Sequence, residues 1–186
     1  MIITFFGIPR SGKSTLVEQL VKGMKTSTIA LRKGSLMAKY AEIIFGKKDC
    51  DLSINEMDYI VEHIENELRD YEKHYEYVLL DSHVGYLVYD RGWVENRPLR
   101  YHQIGDCFFY LNTNPYIVLE RMKKTQGIKA LYKYSLDEIE LYQRTELNRL
   151  KEILSSVNKK CIVLNDSDLY YQEIIDYLIQ RRNCSD

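Results

Sequence analysis

The residues best suited to chemistry lie near the N-terminus, in a glycine-rich segment at residues 7–14. The segment reads Gly-Ile-Pro-Arg-Ser-Gly-Lys-Ser and fits the pattern G-x-x-x-x-G-K-[ST] at every fixed position. Its two glycines let the backbone turn tightly and approach phosphate oxygens, and successive N–H groups then point at the anion. A helix that follows the segment adds the positive end of its dipole. The segment therefore predicts a loop that binds phosphate groups.

The lysine and the hydroxyl that end this motif predict how a phosphate chain and a metal ion are held. Lys13 can reach the β- and γ-phosphates, and the Ser14 hydroxyl is a ligand for Mg²⁺. We expect the nucleotide to be bound by Gly7, Arg10, Ser11, Gly12, Lys13, Ser14 and Thr15. A chance glycine turn is the alternative interpretation, but a random chain of this length matches the pattern well under about 1% of the time.

A second candidate, Asp90-Arg91-Gly92, directly follows the apolar run at residues 86–89. At the end of a strand beside the phosphate loop, Asp90 would hold Mg²⁺ directly or through a water molecule. Arg91 would bind a second anion with a bidentate guanidinium group. An ordinary turn at the end of a strand is the alternative interpretation, and Asp81 is the rival metal ligand.

Two apolar runs compete for one strand, because residues 77–81 and residues 86–90 both read as a strand that ends in an acid. Val78 and Leu79 also continue the apolar stripe of a long helix predicted over residues 54–76. We therefore favour a helix or turn for residues 77–81 and a strand for residues 86–89. This choice makes Asp90 the preferred metal ligand.

A third candidate is the basic end of a predicted helix, where Arg121 is followed by Lys123 and Lys124. A segment over residues 121–136 would act as a lid that closes over a phosphoryl group, neutralises transition-state charge and excludes water. Arg121 is its predicted catalytic residue. The alternative is a helix C-terminus whose cations suit the helix dipole, with Gly127 as its terminator.

Alternating strands and helices must position these candidates. Apolar runs predict strands at residues 1–6, 26–31, 86–89, 107–111 and 161–164. Helical spacing and a Ser-x-x-Glu capping box predict helices after the glycine motif, over 54–76, over about 135–155 and over about 168–182. This order is typical of an α/β fold, a five-stranded parallel sheet with helices on both faces. Such sheets bind ligands beyond the carboxyl ends of their strands, where every candidate lies.

Composition limits the classes of protein to consider. The 186 residues suit a single domain over residues 1–186. With 26 basic and 27 acidic residues the net charge is −1, so no bulk positive field attracts nucleic acid. No uncharged apolar run approaches the roughly 18 residues of a membrane-spanning helix, and the first residues lack the basic start of a signal peptide, which predicts a cytoplasmic location. The four cysteines form no C-x-x-C pair, so no zinc or redox motif is indicated.

These motifs together resemble those of the P-loop nucleoside and nucleotide kinases, most closely the thymidylate kinase and deoxynucleoside kinase branch. The resemblance rests on Gly7–Thr15, on Asp90-Arg91, and on residues 106–112 leading to Leu119-Glu120-Arg121. It implies a three-layer P-loop NTPase fold with a short lid, ATP with Mg²⁺ as phosphoryl donor, and an acceptor bound near Arg91. It also implies that Asp90 is the metal or acceptor acid, Arg91 the ligand of the acceptor phosphate, and Arg121 the lid arginine.

The sequence departs from this group after the second predicted strand. Deoxynucleoside kinases carry there an acid that takes the proton of the 5′-hydroxyl, whereas this chain has Arg32-Lys33-Gly34. The departure favours an acceptor that already bears a phosphate. The leading hypothesis is transfer of the γ-phosphoryl group of ATP to a small acceptor, a nucleoside monophosphate or a (deoxy)nucleoside. A regulatory ATPase, or a kinase of a non-nucleotide metabolite or of a polynucleotide end, is the alternative, and a homodimer is left open.

Overall fold

The fold is built on a central parallel sheet with helices packed on it, and the computed structural model describes residues 1–88, 92–95, 97–124, 134–165 and 170–183. Its strands are β1 (Ile2–Phe6), β2 (Thr28–Arg32), β3 (Tyr77–Asp81), β4 (Tyr86–Val88), β5 (Gly92–Val94), β6 (Cys107–Asn112) and β7 (Cys161–Asn165). Its α-helices are α1 (Lys13–Gly23), α2 (Lys33–Tyr40), α3 (Ile54–Glu72), α4 (Leu99–His102), α5 (Pro115–Lys124), α6 (Leu136–Ser155) and α7 (Tyr170–Asn183). A π-helical turn, Ala41–Phe45, and a 3₁₀ turn, Asp49–Asp51, link α2 to α3.

Five strands form the main sheet in the order β2-β3-β1-β6-β7, and all neighbours in it are parallel. The chain leaves β1 at the centre, builds β2 and β3 on one side, and then builds β6 and β7 on the other. The predicted α/β fold with a five-stranded parallel sheet is confirmed. The loop that follows β1 therefore opens at the point where the strand order reverses, which is where such sheets bind ligands.

Helices cover both faces of the sheet, because successive side chains of each strand point to opposite sides. On one face Ile3, Phe5 and Phe109 pack with the apolar residues of α1 and α7. On the other face Val78 and Leu80 pack with α2, α3 and α4, while apolar residues of β1 and β6 pack with α6. Burial on both faces explains why these strands read as continuous apolar runs rather than as an alternating pattern.

One strand prediction is wrong. Residues 77–81, predicted as helix or turn, form the sheet strand β3, in which Val78, Leu79 and Leu80 are fully buried. Residues 86–88, predicted as a strand of the parallel sheet, instead pair antiparallel with residues 92–94 in a separate hairpin. The physical reason is that α3 ends at Glu72, so the apolar residues of β3 face the sheet core and not the helix stripe they seemed to extend.

Two long helices begin at the same capping motif. Before α3, the Ser53 hydroxyl accepts a hydrogen bond from the Glu56 backbone N–H, and the Glu56 carboxylate accepts one from the Ser53 backbone N–H. Ser135 and Glu138 repeat this arrangement before α6, as the sequence predicted.

Of the predicted lid over residues 121–136, residues 125–133 lie outside the described residues, so the lid stays a prediction. In the described part of the chain no helix is both long and apolar enough to cross a membrane.

Packing of α3 against the sheet predicts a clear contrast in unfolding measurements. Ile64 is 0% exposed in this interface, so Ile64→Ala should lower the free energy of unfolding by about 2–5 kcal/mol through lost burial and a residual cavity. Ile43 is 67% exposed, and Ile43→Ala should change it by less than about 0.5 kcal/mol. Urea denaturation followed by circular dichroism measures both variants, and equal effects would contradict the packing described.

Candidate active site

The glycine-rich loop joins β1 to α1 at the carboxyl edge of the sheet, as predicted. Gly7 and Gly12 have φ angles of 145° and 102°, in the region that residues with a side chain avoid. A Cβ atom on Gly7 would lie 2.9 Å from the Leu111 carbonyl oxygen of the neighbouring strand β6. The two fixed glycines of the motif are therefore required by the backbone, independently of any ligand.

Lys13 is the first residue of α1 and is almost completely buried. Its ammonium group lies inside the loop and donates hydrogen bonds to the Gly7 and Ile8 carbonyl oxygens at 2.5 and 3.1 Å. Burial lowers the pKa of Lys13, and the negative charges of Asp81 and Glu146 oppose this shift. The lysine is thus held where a bound phosphate chain would replace the loop's own carbonyl oxygens as its partner.

The next residue of α1 meets the end of β3. The Ser14 hydroxyl donates to the Asp81 carboxylate at 2.5 Å, and Asp81 lies beside Phe5 in the parallel register of β1 and β3. A hydroxyl and a carboxylate oxygen at this distance form part of an Mg²⁺ coordination shell, whose other positions phosphates and water commonly fill. No cluster of three or more His, Cys, Asp or Glu side chains within the described ranges offers an all-protein metal site. Ser14 and Asp81 therefore fit an ion bound together with a nucleotide.

The preferred metal acid of the sequence analysis, Asp90, lies outside the described residues, as does Arg91. The reason for choosing Asp90 was its position at the end of a strand of the parallel sheet. Since residues 86–88 belong to the separate hairpin, that reason no longer holds. The rival acid, Asp81, lies at the carboxyl end of β3, a strand of the parallel sheet that is paired with β1.

Arg121, on the last turn of α5, lies directly over the phosphate loop. Its guanidinium donates to the carbonyl oxygens of Arg10 and Ser11 at 3.1 and 3.0 Å. The same nitrogen lies 3.1 Å from the position that a Cβ atom on Gly12 would take. The structure therefore brings this predicted arginine to the loop. Lys123 instead forms an exposed ion pair with Glu120.

A protein-family model matches the sequence of most of this chain. The model, an AAA domain named AAA_18, matches residues 3–143, which include the loop, Asp81 and Arg121. The chain belongs to this family. No curated protein matches the sequence.

Solved structures of kinases share its fold. A sugar kinase from a Janibacter species is 12% identical with a TM-score of 0.56, and the match covers 95% of this chain and 93% of that chain. A shikimate kinase from Bacteroides thetaiotaomicron is 16% identical with a TM-score of 0.50, covering 98% of each chain. A deoxyadenosine kinase from M. mycoides is 16% identical with a TM-score of 0.49, covering 99% of this chain and 100% of that chain. The predicted P-loop kinase fold is confirmed, while the thymidylate kinase branch stays a prediction.

A buried polar network, which the sequence analysis missed, joins the phosphate loop to the segment after β3. Thr113 donates to the Ser11 carbonyl oxygen at 2.7 Å, and Gln143 donates to the Thr113 carbonyl oxygen at 2.6 Å. Glu146 accepts from the Val84 backbone N–H at 2.8 Å and from the Tyr110 hydroxyl at 3.2 Å. The sequence carries a signal for this network, because Gln143 and Glu146 stand at apolar positions of the α6 pattern. The buried stripe of the helix includes Ile139, Tyr142, Gln143, Glu146 and Leu150.

Glu146 is completely buried at the centre of this network. Burial raises the pKa of its carboxyl to about 7, and the Lys13 ammonium and the hydrogen bonds from Val84 and Tyr110 oppose this shift. The carboxyl therefore interacts with the loop lysine and with the segment that follows Asp81. It holds that segment in place through the backbone of Val84.

The raised pKa of Glu146 predicts a pH-dependent stability. Between pH 4.5 and about 7 the folded protein keeps the Glu146 proton that the unfolded chain has lost, so this group's contribution to stability falls as the pH rises. Glu146→Gln keeps an acceptor for Val84 but cannot ionise. Relative to wild type, the variant should therefore gain about 3 kcal/mol in free energy of unfolding between pH 4.5 and pH 8.

Urea denaturation at pH 4.5, 6 and 8 measures this difference. The exposed Glu140 of the same helix provides the control, since Glu140→Gln removes a carboxylate of α6 that remains in water. A difference between Glu146→Gln and wild type that stays constant over this pH range would show that Glu146 does not titrate there.

Proposed function

We propose that this protein is an ATP- and Mg²⁺-dependent phosphotransferase that moves the γ-phosphoryl group of ATP to a small acceptor, a nucleoside or a nucleoside monophosphate. One observation carries the proposal: the Ser14 hydroxyl and the Asp81 carboxylate meet at 2.5 Å beside Lys13, at the point where the strand order of the sheet reverses. The P-loop kinase fold and the family membership support the same class of reaction.

Each residue of the site has a role in this reaction. The backbone N–H groups of residues 7–14 hold the phosphate chain, and the Lys13 ammonium exchanges the Gly7 and Ile8 carbonyl oxygens for β- and γ-phosphate oxygens. Ser14 and Asp81 would hold Mg²⁺, which, when bound, neutralises charge that develops on the transferred group. Arg121 places a second cation over the loop. Catalysis in this class is mostly positioning and electrostatic stabilisation.

The residues that follow β2 bear on the nature of the acceptor. The chain has Arg32 and Lys33 where a base for an acceptor hydroxyl would follow β2. An acceptor that presents a phosphate as nucleophile needs no such base, which favours a nucleoside monophosphate. Arg91 remains the predicted ligand of that phosphate, and Asp90 a predicted metal or acceptor acid. Residues 121–136 remain the predicted lid, and a cytoplasmic location and a homodimer are likewise expectations.

An acceptor panel tests the proposed reaction. Purified protein with ATP and Mg²⁺ should release ADP, and form a phosphorylated product, only when the correct acceptor is added from a set of nucleosides, nucleoside monophosphates and an oligonucleotide. Lys13→Ala should lower this rate by at least about 10²-fold, because it removes a cation from the transferred group. Lys22→Ala, at an exposed position of the same helix, is the matched control and should keep full activity. ADP release that no acceptor stimulates, without a phosphorylated product, would instead indicate a regulatory ATPase.

The choice between the two acids predicts an order of activities. Asp81→Asn should lower kcat by on the order of 10²-fold, because it removes a charged metal ligand next to Ser14. Asp90→Asn should have a smaller effect. Steady-state rates at several Mg²⁺ concentrations measure both variants, and the loss in Asp81→Asn should be partly offset by excess Mg²⁺. The reverse order would restore Asp90 as the metal ligand.

A further inference from the structure

Three strands bring polar side chains together at the carboxyl edge of the sheet, next to the phosphate loop. Their register aligns three residues of neighbouring strands: Phe5 of β1, Asp81 of β3 and Arg32 of β2. Phe6 is the next residue of β1, while Ser82 directly follows β3 and Lys33, the first residue of α2, directly follows β2. Phe6 lies on the opposite face of the sheet from Phe5, because side chains alternate along a strand. The Ser82 backbone N–H donates to the Phe5 carbonyl oxygen at 2.9 Å, and the Lys33 ammonium lies 5.6 Å from the centroid of the Phe6 ring, so both residues lie next to Phe6. The face that carries Phe6 is covered by α4, which ends with Tyr101 and His102.

Lys33 is a buried cation that has no carboxylate partner among the described residues. It is 0% exposed, and its ammonium donates a hydrogen bond to the Tyr101 carbonyl oxygen. The aromatic rings of Tyr101 and Phe6 lie near it, with centroids at 4.3 and 5.6 Å. None of the ion pairs between described residues includes Lys33, and the nearby Arg97 is paired with Asp49. Burial lowers the pKa of Lys33 to about 7, with Glu65 opposing, which is expected of an ammonium that lacks a counter-charge.

Two more polar groups in this place lack partners in the part of the chain that the structure describes. His102 is 0% exposed, and within the described residues neither of its ring nitrogens has a hydrogen bond. The Ser82 hydroxyl is also buried without a partner. His102 lies 6.5 Å from Phe6 between ring centroids, and the charge of Lys33 helps to lower the pKa of His102. Because buried polar groups in native proteins are nearly always satisfied, such groups indicate a missing water, ion or ligand.

We propose that Lys33, Ser82 and His102 form a subsite that binds an oxyanion group of the acceptor, a phosphate monoester or a carboxylate. An ammonium, a hydroxyl and an imidazole N–H are all hydrogen-bond donors, and the ammonium adds a positive charge that water cannot compensate. This inference rests on the proposed function and specifies the acceptor as an anionic molecule. The oxyanion bound by the subsite is either separate from the group that receives the phosphoryl group or is that group itself.

The position of the subsite suits an acceptor. Ser82 directly follows Asp81, so the subsite lies next to the proposed metal ligand. Lys33 is covered by α4, which carries His102, and the hydrogen bond of Lys33 goes to the backbone of α4 itself. An entering oxyanion would replace the Tyr101 carbonyl oxygen as the partner of Lys33. Acceptor binding therefore requires α4 to move.

The test compares Lys33 with a partly buried lysine, Lys159, that has the same kinds of contact. Lys159 also donates to backbone carbonyl oxygens, those of Gln103 and Gly105, and lies 5.2 Å from the ring centroid of Phe108. Wild type, Lys33→Met and Lys159→Met are each saturated with Mg²⁺ and adenylyl imidodiphosphate, so that the phosphate loop is filled. Inorganic phosphate or acetate is then titrated while the unfolding temperature is recorded.

We expect phosphate or acetate to raise the unfolding temperature of wild type and Lys159→Met. The rise should be about 5 °C once the anion exceeds its Kd a hundredfold. Lys33→Met should show no such rise, yet without added anion it should unfold at or above the wild-type temperature, because it removes an uncompensated buried charge. A rise with phosphate alone would assign a phosphate monoester, and a rise with acetate would assign a carboxylate.

Two results would overturn the subsite while leaving the proposed function intact. One is an equal rise in all three proteins, which is a general salt effect. The other is no rise in wild type although calorimetry shows that the nucleotide analogue is bound. Failure of the analogue to bind would overturn the proposed function itself, and the subsite with it. If Lys33→Met does not fold, phosphate titration of the wild type followed by the ring resonances of His102 decides, since an unchanged spectrum excludes binding next to that ring.

Discussion

The hydrogen bond between Ser14 and Asp81 depends on the pairing of β1 with β3, and the candidate site depends on that hydrogen bond. Asp81 reaches the first turn of α1 because its strand lies beside β1 with Phe5 opposite Asp81. A slip of one residue in this register would turn Asp81 to the other face of the sheet and bring Leu80 or Ser82 to its place. The apolar side chains of β3, buried on both faces, therefore determine where the acid stands. Core packing and chemistry are fixed by the same set of contacts.

The features that the sequence predicted correctly are those whose information is local. The glycines of the loop are required by φ angles and by close approach to β6, and both requirements show in the motif itself. The capping box before α6 and the strand β6 are likewise complete within a few residues. Arg121 reaches the loop because α5 starts right after β6, whose carboxyl end lies at the same edge, while its catalytic role stays a prediction.

The features that the sequence did not predict depend on partners far along the chain. Residues 77–81 and 86–90 are both short apolar runs that end in an acid, and only the pairing of β3 with β1 and β2 separates them. The role of Glu146 depends on Val84, which lies 62 residues earlier. The hydrogen bond of the Lys33 ammonium is made to the carbonyl oxygen of Tyr101, which lies 68 residues later. Contacts between residues so far apart in sequence cannot be predicted from hydrophobic periodicity. Gln143 and Glu146, at apolar positions of α6, nevertheless indicate a buried polar contact.

Burying ionised groups costs folding free energy, so the three beside this edge of the sheet need an explanation. Lys13, Lys33 and Glu146 are each nearly or completely shielded from water. The shielding lowers the pKa of both lysines and raises that of the carboxyl, because burial disfavours the charged form of each group. An anion that enters such a site meets cations whose attraction is weakly screened and whose positions are already set. The net charge of −1 is a sum over the whole chain, so it does not reveal the buried charges at this edge of the sheet. The phosphate binding proposed for this protein therefore depends on where the few buried charges lie, not on how many charges the chain carries.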